Sequence, residues 1–354
     1  MDSFCRKDHT AKAVTGLIVL FVYSVVNLYL LCYALFMQRG FWNKLPRPFF
    51  CLAPMANVTD AAFRRVIAKY GKPDVLWSEF VSADGLQSAG REKLLIDFLY
   101  DKSERPIVAQ IFGARPETIE QSSALIVELG FSGIDINMGC PDRAVERQGA
   151  GAALIKNPAL AKEIIAAAKQ GAGDVPVSVK TRTGYNTNIV EEWIDNLLEA
   201  RPAAITLHAR TRKQMSKVPA DWDSVRRAVE IARGSGTLIV GNGSVGSPKE
   251  ARVRAAESGC DGVMFGSAIF GNPWLFANRT PKLHERLTVM VEHARAFEEL
   301  LGEHKNFSIM RKHFGAYARG FDGAAELREK LMRTENADEV ESIVLKDHKI
   351  SRSC

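Results

Sequence analysis

The sequence predicts an α/β fold, a (β/α)8 TIM barrel followed by a small C-terminal helical domain. Three observations carry this. Eight short apolar runs lie between residues 51 and 265, with longer amphipathic stretches between them, which is the alternation of such a barrel. Nearly every run ends in a polar or special residue: Pro54 and Met55, Glu79, Gln110, Asn137 and Cys140, Lys180 and Arg182, His208 and Arg210, Asn242, and Gly266. In a barrel these ends share one rim, where reactive groups belong. The competing fold, a doubly wound open sheet, carries a Gly-rich phosphate loop after its first strand, and none follows here.

The predicted strands are Cys51–Ala53, Val75–Phe80, Ile107–Ile111, Gly133–Asn137, Val177–Lys180, Ala204–His208, Leu238–Gly241 and Gly262–Phe265. Helical spacing of apolar residues places helices at Asp60–Tyr70, Pro116–Leu129, Ala159–Lys169, Val190–Glu199, Trp222–Ala232 and Pro248–Ser258. Beyond Trp274, amphipathic patterns predict helices at Leu283–Leu301, Ser308–Arg319 and Gly323–Arg333. The expected division is residues 41–280 for the barrel, 281–336 for the helical domain and 337–354 for a polar, frayed tail.

Residues 1–38 break the globular pattern. Ala13–Gln38 is a run of 26 residues without a formal charge, preceded by Arg6, Lys7 and Lys12 and followed by Arg39 and Lys44. About 20 apolar residues span a bilayer as a helix, so the run is a transmembrane candidate. Basic residues on both sides leave its orientation open. A second reading starts the native chain at Met37 and treats residues 1–36 as an upstream translation artefact. A cleaved signal peptide fits less well, because no small-residue cleavage site follows the run.

The 354-residue chain has an ordinary composition, with 46% hydrophobic and 25% charged residues and a net charge of +6. That charge permits an anionic partner without requiring one. The six cysteines form no C-x-x-C pair, which argues against a structural zinc site, and no metal is expected. Their scatter argues against a disulfide framework and points to a reducing compartment. The expected location is the cytoplasm, with a membrane anchor if residues 13–38 span. The expected state is a monomer.

Two glycine-rich stretches, Gly241–Val245 and Gly266–Trp274, follow the last two strands. Small residues there let backbone N–H groups approach a phosphate, at the usual phosphate site of this barrel. Gln110, Lys180 and His208 at other strand ends suit a flavin, whose pyrimidine edge takes hydrogen bonds and whose reduced form is stabilised by a nearby cation. Cys140 ends an apolar run at Asn137-Met138-Gly139-Cys140-Pro141. On these grounds alone its thiol could be filler, nucleophile or proton donor.

Together these stretches resemble the tRNA-dihydrouridine synthase family, over about Phe41 to Arg333. The matching segments are Ala53–Asp60, Ala109–Gly113, Asn137–Pro141, Lys180–Arg182, His208–Arg212, Gly241–Gly243 and Gly271–Trp274, with Arg311–His313 and Ala324–Leu327 in the helical part. The resemblance implies an FMN-dependent oxidoreductase that reduces the C5–C6 double bond of particular tRNA uridines, with NADPH (or NADH) as reductant. It implies Cys140 as proton donor to C5. It places Pro54, Met55, Gln110, Lys180, His208, Asn242, Gly243, Gly266 and Ser267 on FMN, and Asn137, Arg182 and Arg210 on the uridine and its phosphates. Ser267 stands where the family often has Arg, which removes a charge from the expected phosphate site. The target base must be extruded to reach the rim. Lys305–Arg333, with seven Lys or Arg against three acids, and the rim residues Arg210, Arg212 and Lys213 are expected to hold tRNA phosphates. The alternatives are a dihydroorotate-dehydrogenase-like FMN barrel acting on a small molecule, and a non-catalytic RNA-binding or membrane-anchored relative.

Overall fold

A computed structural model describes residues 39–346. Eight parallel strands form its sheet: β1 Phe49–Leu52, β2 Leu76–Ser82, β3 Ile107–Phe112, β4 Gly133–Met138, β5 Val177–Arg182, β6 Ala204–His208, β7 Leu238–Asn242 and β8 Gly262–Phe265. Consecutive strands pair from β2 through to β8, and β8 pairs with β1. A Cys51–Val75 bridge joins β1 to β2. Its hydrogen bonds are Leu52 N–H to Val75 O at 3.1 Å and Val75 N–H to Phe50 O at 3.3 Å. The expected TIM-barrel class therefore holds, and all eight predicted strands are present to within a few residues.

The helices in chain order are α1 Ala61–Gly71, α2 Ala83–Leu86, α3 Arg91–Leu95, α4 Pro116–Glu128, α5 Arg143–Arg147, α6 Pro158–Ala172, α7 Val190–Glu199, α8 Trp222–Ala232 and α9 Pro248–Ser258. After the barrel come α10 Leu283–Leu301, α11 Arg311–Tyr317, α12 Ala324–Leu331 and α13 Ala337–Lys346. Local chemistry sets several starts. Asp60 caps α1 by accepting from Phe63 N–H at 2.9 Å. Asn157 and Ser247 cap α6 and α9, each followed by Pro at the first helical position.

The barrel interior is packed, not hollow. Phe49, Cys51, Val75, Trp77, Val108, Leu238, Val240 and Met264 form one inner cluster. Trp42, only 1% exposed, joins them from the short 3-10 helix Gly40–Lys44. The opposite strand faces pack on the helices in a larger cluster that also takes in Phe297, Phe314 and Leu327 from the C-terminal helices.

Sheet register decides which side chains share a level. Gln110, Asp135 and Ser178 pair across β3, β4 and β5. Asn137 and Lys180 pair one step nearer the rim. Arg182, His208, Asn242 and Met264 pair across β5 to β8.

The segment between β2 and β3, for which the sequence predicts no element, makes the short helices α2 and α3 with 3-10 turns. Two expectations need correction. Ser308–Arg319 is a 3-10 turn, Phe307–Met310, leading into the shorter α11. The tail expected to fray after Asn336 forms α13, which runs to Lys346. It buries Ala337 and Val340, Ala337 N–H donates to Glu298 Oε2 at 3.2 Å, and Arg295 pairs with Asp338 at 3.3 Å. Among the described residues no helix is long and apolar enough to cross a membrane. The candidate span at 13–38 lies outside the described residues.

The C-terminal helices are anchored to the rim at β2. Lys305 Nζ lies 2.6 Å from both Glu79 Oε2 and Asp97 Oδ1. Glu79 Oε1 also accepts the backbone N–H of Asn57, in the loop that follows Met55. Replacing Lys305 by Met leaves two largely buried carboxylates uncompensated. The expected cost is about 3–5 kcal/mol, read as a lower midpoint in urea denaturation; an unchanged midpoint would show that the ion triad does not hold this junction.

Candidate active site

Strand β4 carries the first element of the site. Its alternation turns Asp135 and Asn137 to the same side, and both are buried, at 0% and 6% exposure. Gln110 is also fully buried and joins them, with Nε2 donating to Asp135 Oδ2 at 2.6 Å and Oε1 accepting from Asn137 Nδ2 at 3.1 Å. Ser178 Oγ donates to the other oxygen of Asp135. Burial pushes the Asp135 carboxyl up to about 6 against these hydrogen bonds.

Asn137 then shapes the strand end. Its Oδ1 accepts the backbone N–H groups of Gly139 at 3.1 Å and Cys140 at 2.9 Å, an Asx-type turn. Cys140 O accepts Ala152 N–H at 3.0 Å. Gly151 permits that approach, because its φ is +61° and a Cβ there would lie 2.8 Å from Cys140 O. The Cys140 thiol is half-buried against Phe112, Val145 and Ala150. Burial raises its pKa above the ordinary thiol value, while Lys180 and Arg182 pull the other way more weakly. The thiol is therefore protonated at neutral pH, unlike an activated nucleophile.

Beside this turn lies a cavity of 260 Å³ at the strand ends. It brings together Pro54, Met55, Lys180, His208, Arg210, Asn242, Gly243, Gly266 and Ser267. Lys180 Nζ has no hydrogen-bond partner among the described residues. Burial, helped by Arg182, lowers Lys180 to about 8. His208 is lowered to about 2 by burial and by the surrounding cations, so its ring is neutral. Arg210 lies 3.0 Å from His208 Nε2, donates to Ser244 Oγ, and donates through Nε to Val218 O at 2.6 Å. Gly243 has φ +131°, and a Cβ there would sit 3.3 Å from both Arg210 Nη1 and His208 Cδ2. A Cβ at Gly266 would meet nothing within 4 Å.

Three predicted contacts sit outside that cavity. Gln110 and Asn137 lie in the hydrogen-bonded chain beneath the Cys140 turn, with their amides occupied by one another, Asp135 and the turn. Arg182 donates to Gly139 O at 2.7 Å, Thr211 O at 3.2 Å and Met215 O at 3.0 Å. It thus ties the loop after β6 to the Cys140 turn. The sequence reading passed over Asp135 and Ser244. Asp135 was detectable as an acid inside an apolar strand, two residues before Asn137; Ser244 carried no distinct signal beyond its place in the glycine-rich loop.

The dihydrouridine synthase (Dus) family model matches residues 51–353. The probable tRNA-dihydrouridine synthase 2 of Bacillus subtilis (strain 168) is 40% identical over 317 residues, 87% of this chain and 96% of that protein. A probable tRNA-dihydrouridine synthase of Staphylococcus aureus (strain COL) is 38% identical over 317 residues, 87% of this chain and 95% of that protein. Among solved structures, morphinone reductase in complex with tetrahydroNAD matches with a TM-score of 0.46 at 12% identity, over 67% of this chain and 87% of that one. That likeness is too distant to bear on cofactor or substrate. With its family match covering most of its length and its relatives aligned nearly end to end, the chain belongs to the dihydrouridine synthase family.

Proposed function

We propose that this protein is an FMN-dependent tRNA-dihydrouridine synthase that uses Cys140 as its proton donor. The observation that carries this reading is the placement, at neighbouring strand ends, of a protonated thiol and a lysine that makes no hydrogen bond among the described residues. Family membership favours an RNA uridine over a small-molecule substrate.

The cavity fits a phosphorylated flavin in its donor set. Lys180 would face the ring's electron-rich edge, where a cation stabilises the reduced form. Asn242, whose Nδ2 donates to Met264 O at 2.8 Å, would have its remaining amide hydrogen to offer the flavin, and Pro54 and Met55 would serve as apolar walls. The open space at Gly266 and the backbone at Gly243 leave room for phosphate oxygens. Arg210 lies in the same cavity as Ser267, so its guanidinium would supply the charge that Ser267 lacks. When bound, FMN would supply hydride to uracil C6, with NADPH or NADH as the electron source.

The chain's own chemistry lies at Cys140. Reduction at C6 leaves excess electron density on C5 and the O4 carbonyl, and C5 must gain a proton. Cys140 Sγ–H is positioned by the Asn137 turn to give it, and the resulting thiolate would be stabilised by Lys180 and Arg182. Lys180 does not compete as the acid, since it serves the cofactor edge. A base paired or stacked in RNA cannot enter this rim, so the uridine must be extruded. We place the reaction in the cytoplasm.

Cys140→Ala should lower dihydrouridine formation by about 10²–10⁴-fold while the protein stays yellow, scored by nucleoside mass spectrometry and flavin absorbance. Full activity on native tRNA would remove Cys140 from the mechanism. Alkylation of Cys140 by iodoacetamide, with Cys140→Ala as the blank, should be slow at neutral pH. Because burial raises the pKa, the thiolate should appear only on the alkaline side of the ordinary thiol range, and turnover should fall over the same range; an inflection below neutrality would mean a nucleophilic thiolate instead. Asn137→Ala frees two N–H groups and the Gln110 carbonyl. It should cost about 1–3 kcal/mol of stability and reduce kcat by roughly 10²-fold with little change in tRNA affinity; a pure affinity loss would mark Asn137 as a substrate contact.

A further inference from the structure

Part of the basic stretch Lys305–Arg333 is occupied by its own fold, while Lys312 and Lys330 are exposed on it. Lys305 is held by Glu79 and Asp97, Arg328 donates to Ala318 O at 2.7 Å, and Arg333 pairs with Glu329 at 2.7 Å. A second group of cations lies over β4 to β6, close to Cys140. Helix α5 begins three residues after Cys140. Its Arg143 and Arg147 line an open basin of 440 Å³ with Glu146, Lys156 and Tyr185. Glu146, the basin's one carboxylate, is paired with Arg212. The Tyr185 ring has Lys156 Nζ 4.4 Å from its centroid and the Arg212 guanidinium carbon 5.3 Å away, so the ring holds both cations in place. Arg143, Arg147 and Lys156 have no carboxylate at ion-pair distance among the described residues. The basin is part of the active-site frame: Arg212 N–H donates to Gly184 O at 2.8 Å and Lys213 N–H to Tyr185 O at 2.9 Å, and Arg182 joins this loop to the Cys140 turn.

We propose that this basin binds a backbone phosphate of the RNA strand beside the uridine delivered to Cys140. The inference rests on the reading given under Proposed function. Three exposed cations on two elements, around an open floor with no buried donor, suit a polyanion passing over the surface. A phosphate of the nicotinamide dinucleotide shares the same chemistry and is the competing source.

The test uses flavin-loaded full-length enzyme carrying Arg147→Gln and Lys156→Gln together, with Arg143→Gln as an independent variant. Arg226→Gln, an exposed ion-paired arginine on α8, serves as control. Affinity for native tRNA is measured across a salt series, alongside the rate of flavin reduction by NADPH and dihydrouridine yield. The double variant should bind tRNA about tenfold more weakly, with a log K against log salt slope shallower by about one to two and flavin reduction unchanged. Arg143→Gln should act in the same direction and Arg226→Gln should not. Unchanged affinity and slope in an active enzyme would overturn the basin proposal alone. A loss confined to flavin reduction would assign the basin to the dinucleotide and overturn it likewise. Wild-type enzyme that yields no dihydrouridine would overturn the enzyme reading itself.

Discussion

The site depends on one buried chain of hydrogen bonds, from Ser178 through Asp135 and Gln110 to Asn137, ending on the backbone of Cys140. Each side chain in it is inaccessible or nearly so, and an unmet polar group there would cost more than the bond itself yields. The chain therefore tolerates only one strand register. A slip of one residue in β4 would turn Asp135 and Asn137 towards the helices and release the thiol turn.

Electrostatics at the rim follow from how few cations remain available. Lys180, Arg182 and Arg210 crowd together, and burial disfavours the charge on each. Arg182 settles on three backbone carbonyls, and Arg210 on Val218, His208 and Ser244. Lys180 alone of the three is left without a hydrogen bond among the described residues, so it is the group free to answer a ligand. The same burial keeps His208 neutral and Cys140 protonated. A cation-rich, poorly hydrated rim can thus hold a thiol as an acid, because desolvation outweighs the attraction of the neighbouring positive charges.

The C-terminal helices act on the rim as a brace. Lys305 reaches Glu79 on β2, and Glu79 holds the loop after Met55. Glu292 on α10 meets Lys69 and Tyr70 of α1. Lys305 is therefore engaged in holding the two parts together, whereas Lys312 and Lys330 stay exposed on the C-terminal helices; a further accessible positive surface lies on the α5 side of Cys140. RNA approaching the rim would meet Arg143, Arg147 and Lys156 there.

Much of this was legible in the chain. Apolar runs ending in Pro54, Gln110, Asn137, Lys180, His208 and Asn242 specify strands and a functional rim, because alternation and strand-end chemistry are local properties. Nine of the predicted contacts do share one cavity. The roles of Arg182, Gln110 and Asn137 were not legible as they stand, since a side chain's partners depend on strands far apart in sequence. Nor was the order of α13, whose apolar residues become informative only when α10 is there to cover them. By itself the sequence determined the strands, the family and the thiol at the end of β4. Only the tertiary structure decided which cations are occupied and that burial pushes the Cys140 thiol further towards its protonated form, because burial and long-range pairing arise when the barrel closes.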